Sequence, residues 1–315
     1  MKRAAALLLV PFVLCAQSLE DGKTEFQKGH VAEAKKIFES VLKAEPQNAE
    51  AHYQMALVFL RREFRDEDEA VDQMEQAVEL DPNNGDYQYV YGAALGMKAQ
   101  HAGVIKQAFL APKIKNAFLK ATQLKPDLVQ AHIGLAQYYL RAPSIMGGDT
   151  EKGWQEIETA IKLDEFQGRM TKSRLLQNEK RMPEAENELK ILTSRMPRDW
   201  RVWKSLGYFY YQQKQNDDAV AAMNKYVALR PDTADSHKSL AEVQLQKGDY
   251  DDALVNLRKA LSIDKDFVTA VYLLGRTYEA RGMKSEARES YQRVLQLSPG
   301  DNIRKLAEQN LKDLS

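Results

Sequence analysis

The stretch WRVWKSLGYFYYQQKQNDDAVAAMNKYVALRP, residues 200–231, reads as two helices followed by a stop. Trp203, Leu206, Gly207 and Tyr210 recur at helical spacing in its first half, and Ala219 and Met223 do so in its second. Small residues at Gly207 and Ala219 let two antiparallel helices approach closely, and the large side chains of Tyr210 and Met223 fill the remaining space. Pro231 ends the second helix, because proline lacks an amide donor and disfavours helix in the residue before it. Pro46, Pro82, Pro126, Pro197, Pro231 and Pro299 all close helical stretches in the same way. The steps from Pro197 to Pro231, Lys265 and Pro299 are each 34 residues. Glu165 in KLDEF and Lys265 in SIDKD stand in the proline slot. The chain is therefore a tandem array of helical pairs.

The pattern resembles the tetratricopeptide repeat, with its W-x2-L-G-x2-Y, A-x3-F and P positions. The last unit agrees through Leu274, Gly275, Tyr278, Gly282, Ala287, Tyr291 and Pro299, and the first through Gly22, Gly29, Ala34, Phe38 and Pro46. The resemblance covers residues 19–300. It implies an all-α fold, a right-handed superhelical solenoid of about eight helix pairs, in which no pair buries its apolar face alone. The repeats fall near 19–48, 49–84, 85–128, 129–166, 167–199, 200–233, 234–267 and 268–300. Residues 301–315 then form a C-terminal capping helix, with Asp301 as N-cap and polar Lys305, Glu308, Gln309 and Lys312 on the exposed end. The central repeats depart from the period. Pro82 to Pro126 is 44 residues, the excess lying within 96–113, and Pro126 to Glu165 is 39, the excess lying in 142–149. Glu165 to Pro197 is only 32, and its first helix, near 171–178, fits the pattern poorly. Long loops on solenoids carry function or are simply tolerated, and both readings stand.

Residues 1–18 read as a signal peptide. Lys2 and Arg3 precede an apolar run from Ala4 to Leu14, and Ala16 and Ser18 supply the small residues of a cleavage site. Eleven apolar residues fall short of the ~20 that span a bilayer. Cys15 invites a lipoprotein reading, but Leu14 stands where a small residue is required. The expectation is an exported protein, periplasmic or secreted, with no integral membrane segment after cleavage. With 45 basic and 45 acidic residues the net charge is zero, which argues against nucleic acid and anionic lipid as partners. The single cysteine allows neither a disulfide framework nor a thiolate metal site.

His52, His132 and His237 occupy the slot that Trp203 fills in its own repeat, so they read as packing residues in separate units rather than as a metal cluster. Gly147-Gly148-Asp149 echoes a cyclase motif, but helical repeats flank it, and a loop ending in an Asp N-cap explains it. No nucleophile elbow, P-loop, dinucleotide fingerprint or haem-attachment motif is present. The expectation is a non-enzymatic protein without a cofactor. Resemblance to the family implies that the first helix of each pair lines a concave groove. Counting from the signature gives Arg201, Lys204, Tyr208 and Tyr211, then Lys238, Ser239 and Glu242, then Tyr272, Arg276 and Glu279, with Tyr53, Gln54 and Tyr89 near the N-terminus. Tyrosine and arginine are enriched where protein segments dock, and Lys204, Lys238 and Arg276 can pair with carboxylates of a partner. The lysine–asparagine clamp some family members use is absent, since Tyr208 and Glu242 stand four residues after Lys204 and Lys238. The stretch YYLRAPSIMGGDTEKG loosely resembles a subgroup of exported bacterial members. The leading expectation is a scaffold of the bacterial cell envelope that binds an extended peptide or partner helix in the groove. The alternatives are a substrate-binding subunit of an envelope enzyme that uses 96–113 and 142–149, and a self-associating spacer.

Overall fold

The computed structural model describes residues 18–297 and 300–314. The leader reading of residues 1–17, Cys15 included, and Pro299 lie outside the described residues. The described residues form seventeen α-helices and no strand. The chain divides between Gly168 and Arg169 into two compact units.

The first unit pairs α1 (Leu19–Gln27) with α2 (Val31–Ala44), α3 (Ala49–Phe59) with α4 (Glu67–Leu80), α5 (Gly85–Gln100) with α6 (Val104–Leu124), and α7 (Val129–Arg141) with α8 (Thr150–Leu163). Helix α9 (Glu165–Asn178) crosses the division. The second unit continues with α10 (Met182–Arg195), then pairs α11 (Trp200–Gln212) with α12 (Asn216–Leu229), α13 (Ala234–Lys247) with α14 (Tyr250–Ile263), and α15 (Val268–Ala280) with α16 (Lys284–Gln296). Helix α17 (Asp301–Asp313) closes it. Asn48, Asp66, Asn84, Asp149 and Asp199 cap first turns by accepting backbone N–H bonds.

Each core is built from one small residue facing one large one. A methyl group at Gly22 would stand 2.5 Å from Phe38, one at Gly207 would meet Met223 at 2.9 Å, and one at Gly275 would meet Tyr291 at 2.7 Å. Phe38, Met223 and Tyr291 are wholly buried. Phe118 is shared, lying against Gly92 of α5 and Gly134 of α7. In the fourth pair the sizes swap, with Gly153 of α8 against Leu140 of α7.

A second device recurs at the start of five first helices, α3, α5, α7, α11 and α13. Nε2 of His52, His132 and His237 lies 2.9, 2.9 and 2.8 Å from the carbonyls of Pro46, Pro126 and Pro231. Trp203 donates its indole N–H to Pro197 at 2.9 Å, and Gln88 donates to Pro82 at 3.2 Å. The carbonyls left over at the end of one pair are thus satisfied by the next. The three histidines are buried joints between repeats.

Three sequence expectations need correction. The ten extra residues of the third repeat are not a loop: α5 has 16 residues and α6 has 21, with only 101–103 between them. An acid-free run with helix-forming Ala, Lys, Gln and Leu extends α6, and Pro112 is accommodated inside it. The fifth repeat is short because α8 and α9 are separated by Asp164 alone, so α9 begins at Glu165 rather than near residue 171. Asp301 is the first residue of α17, not its cap, which is Gly300.

Candidate functional site

The register that assigns Lys204 and Tyr208 to the groove assigns Tyr89, Ala93 and Gly96 in α5, and Gln130, Ile133 and Gln137 in α7. All six line one cleft of about 460 Å³ in the first unit. Phe118 and Ile114 of α6 form its floor. Tyr89 tilts over Phe118 with ring centroids 6.2 Å apart. Met97 and Gln100 extend one wall from the long end of α5, and Ala142, Pro143 and Met146 close the other. Both lengthened stretches therefore converge on one cavity, within the size range of sites that hold small molecules or side chains. Among the sequence-assigned residues, only Tyr89 lies here. Gln137, Ile133, Phe118 and Arg141 were missed, although the groove register carried into the third and fourth repeats reaches the first two; Met97, Ala142, Pro143 and Met146 fall in the 96–113 and 142–149 segments of the alternative reading.

The 142–149 segment is a built wall. Tyr138 donates its hydroxyl to the Met146 carbonyl, and the Asp149 amide donates to Tyr139 O at 2.9 Å. The amides of Met146 and Gly148 both donate to Pro143 O, at 2.8 and 3.1 Å. Gly147 is left-handed, with φ of 87°, and a Cβ on Gly148 would fall 1.8 Å from the Ala142 carbonyl oxygen. The Gly-Gly pair is thus a requirement of the loop, and Asp149 caps α8 through the Lys152 amide at 3.1 Å. Burial raises the pKa of the Tyr89 and Tyr138 hydroxyls, which keeps them neutral donors.

Among the described residues the cleft lining holds no carboxylate, and Arg141 is its one formal charge. Arg141 is exposed and forms no ion pair among the described residues. Gln107 is committed to the carbonyls of Ala99 and Ala102, and Gln130 to Gln167. Gln100 and Gln137 keep their amides free among the described residues.

The C-terminal groove positions are arranged differently. Lys204 binds Asp235 at 2.6 Å, and Tyr226 donates to the same carboxylate at 2.7 Å. Tyr208 donates toward Ser239 and Glu242, each at 3.0 Å, and accepts from Lys238 at 3.1 Å. Lys238 also lies 3.5 Å from Asp235 and 3.6 Å from Glu242, with its side chain 11% exposed. Burial works against its charge, but Tyr208, Glu242 and Asp235 outweigh that and raise its pKa above the ordinary lysine value. Tyr211 meets Tyr208 edge-on at 6.2 Å. Lys204, Tyr208, Lys238, Ser239 and Glu242 therefore join α11 to α13, and the two lysines pair with the chain's own carboxylates. Arg201 is held by Asp199, with Nε 2.9 Å from Oδ1. Tyr272 donates to Asn310 at 3.2 Å, while Glu279 accepts from Tyr291 at 2.6 Å and from Asn310 at 3.1 Å. Those two positions thus seat α17. Arg276 alone of the four assigned cations is exposed without an ion pair among the described residues. Near the N-terminus, Tyr53 stacks on Tyr87 at 4.9 Å and buried Gln54 donates to Glu50 at 2.8 Å.

A tetratricopeptide repeat family model matches residues 25–94 and 244–309, and a second tetratricopeptide repeat model matches 171–234. The chain belongs to the tetratricopeptide repeat family. The stretch between the first two matched regions, 95–170, holds most of the cleft. The chain is 26% identical over 286 residues to Tetratricopeptide repeat protein 37 of Xenopus laevis, covering 88% of this chain and 17% of that protein. It is 26% identical over 277 residues to Superkiller complex protein 3 of Homo sapiens, covering 85% of this chain. The chain spans 17% of the length of each of these relatives. Among solved structures, a tetratricopeptide repeat protein from Parabacteroides merdae superposes with a TM-score of 0.51 at 17% identity, over 82% of this chain and 96% of that one. A monomeric IFIT1 mutant with Gppp-AAAA superposes with a TM-score of 0.52 at 16% identity, over 93% and 70%. Both are likenesses of fold. Tetratricopeptide repeat proteins generally act as protein–protein interaction scaffolds and are typically not enzymes.

Proposed function

We propose that this protein is an exported interaction scaffold of the bacterial cell envelope, and that it docks an extended segment of a partner in the cleft between α5, α6, α7 and residues 142–149. The observation that carries the reading is the convergence of both lengthened repeats on that one cavity. The corresponding C-terminal positions support the same choice by contrast, because there the chain's own side chains bond one another. The leader pattern of residues 1–18 supports export. The relative named as a protein of the superkiller complex supports a role in assemblies. A standard interface of about 800 Å² per partner is compatible with a site that begins in this cleft and continues over neighbouring repeats. Lining by apolar and amide groups, with a single arginine, suits holding a chain rather than transforming it.

The test is site-specific photo-crosslinking in intact source cells. A photoreactive amino acid at Gln137 is expected to give a discrete protein adduct, and one at Tyr208 is expected to give less. Adducts from Tyr208 with none from Gln137 would move the docking surface to the C-terminal face. The same cells, fractionated, decide export.

A further inference from the structure

We infer that the segment held in the central cleft carries a large apolar side chain and, two residues along, an acidic one, seated over Phe118 and on Arg141 respectively. The inference rests on the cleft reading above and adds the chemistry of the partner.

The apolar half follows from the register. In α11 and α13 the positions facing the groove carry Tyr208 and Lys238, whose bonds to Ser239, Glu242 and Asp235 fill the space with the chain's own atoms. In α5 the same register puts Ala93 at the Tyr208 position and Gly96 at the Tyr211 position. Beyond its chain neighbours and the backbone of its own helix, no heavy atom lies within 4 Å of where a Cβ on Gly96 would sit. The room so left is floored by the Phe118 ring and walled by Met97 and Ile133. An aromatic or long aliphatic side chain gains from leaving water there, and the thioether and ring faces accept it without fixed geometry.

The acidic half follows from charge. A cleft with no carboxylate and one unpaired guanidinium has a positive bias that an acid neutralises bidentately. Gln137 and Arg141 are four residues apart on α7, which places them about 5–6 Å apart on one face. Successive side chains of an extended chain point to opposite faces, so the one that enters beside Gln137 and the one that reaches Arg141 stand two residues apart, about 7 Å along the chain. The free amides of Gln100 and Gln137 each offer two donors and an acceptor to that chain's backbone. A nucleic-acid occupant would need several cations along its path, and the lining supplies one.

The experiment uses the full chain and fluorescein-labelled nine-residue peptides, N-acetylated and C-amidated, with Gly-Ser flanks around a central pair of residues separated by one serine. The pairs are Phe-Asp, Phe-Lys, Ala-Asp and Ala-Ser, and a Phe-Ser peptide with a free C-terminal carboxylate is run beside them. Fluorescence polarisation is expected to rank Phe-Asp first by at least tenfold. Arg141→Glu, at an exposed site, is expected to remove that advantage and bring Phe-Lys level with or above Phe-Asp. A Cβ at position 96 meets no neighbouring element, so Gly96→Leu is expected to weaken Phe-Asp at least tenfold, with a melting temperature no lower than the wild type's. Binding lost in Gly96→Leu but indifferent to Asp, Lys or Arg141→Glu overturns the acidic assignment and leaves the cleft reading standing. Binding insensitive to Gly96→Leu overturns both. A preference for the free-carboxylate peptide, or no binding by any of the five, overturns the proposal.

Discussion

At the scale of single residues, His132 shows how a repeat position acquires a property of its own. Its Nε2 faces the Pro126 carbonyl, as in its sister repeats, but its Nδ1 faces the Glu156 carboxylate at 2.6 Å. In the sister repeats Nδ1 meets an amide oxygen instead, of Gln73 or Asn256. Two acceptors favour the doubly protonated ring. The Glu156 hydrogen bond, opposed by burial and helped by the Pro126 carbonyl, raises the pKa of His132 above 6.5. A group whose folded pKa is raised stabilises fully below its unfolded value and loses that contribution as pH rises through the folded one. The melting temperature of the wild type is therefore expected to exceed that of Glu156→Gln at pH 6, with the gap narrowing steadily toward pH 9. A gap that widens with pH would contradict the ion pair. Gly148 poses a steric question instead. An alanine there meets the Ala142 carbonyl oxygen at 1.8 Å, so Gly148→Ala must break the bonds that hold residues 142–149. Loss of cleft binding with α-helical content unchanged by circular dichroism is the expected outcome.

At the scale of elements, two short separations decide the geometry. A methyl group on Gly168 would fall 2.5 Å from Cα and N of Ile161, so α8 and α9 approach backbone to backbone. Because backbone cannot swing aside as a side chain can, Gly168→Ala should cost about 1–3 kcal/mol, read from the urea midpoint. Gly207→Ala meets only the flexible Met223 side chain and should cost less. Phe118 holds the third and fourth repeats together through Gly92 and Gly134 and also floors the cleft. Phe118→Ala is expected to destabilise by about 3–5 kcal/mol, so it is unsuited to testing binding. The helical pairs and their glycine–aromatic partners were legible in the sequence, because a 34-residue period and 3.6-residue faces impose them. The lengthening of α5 and α6 was not. An insertion within an amphipathic pattern reads equally well as added turns or as a loop, and packing against α4 and α7 makes the choice.

At the scale of the whole molecule, stability in a repeat array passes between neighbours. Helix α17 covers Val271, Tyr291 and Val294 with Ala307 and Leu314, and Arg288 donates to the Leu314 carbonyl at 2.9 Å. Deleting residues 301–315 should raise amide exchange rates in α15 and α16 and leave those in α1 to α8 as they were, measured by hydrogen–deuterium exchange. Uniform acceleration along the chain would show a single cooperative unit instead.

The sequence by itself determined the helical pairs, their pairing of small with large residues and the proline joints, because each rests on contacts within one repeat or with the next. Tertiary structure alone decided which groove positions are open. Lys204, Tyr208 and Lys238 promised a docking face by residue type, yet the stacking of α11 on α13 turns them toward Asp235, Ser239 and Glu242. Ala93, Gly96 and Gln137 promised nothing by type, and the same stacking at α5 and α7 leaves a cleft over Phe118. Whether a polar side chain meets its own chain or a partner depends on which residue lies one repeat away in space, and side-chain identity does not carry that distance.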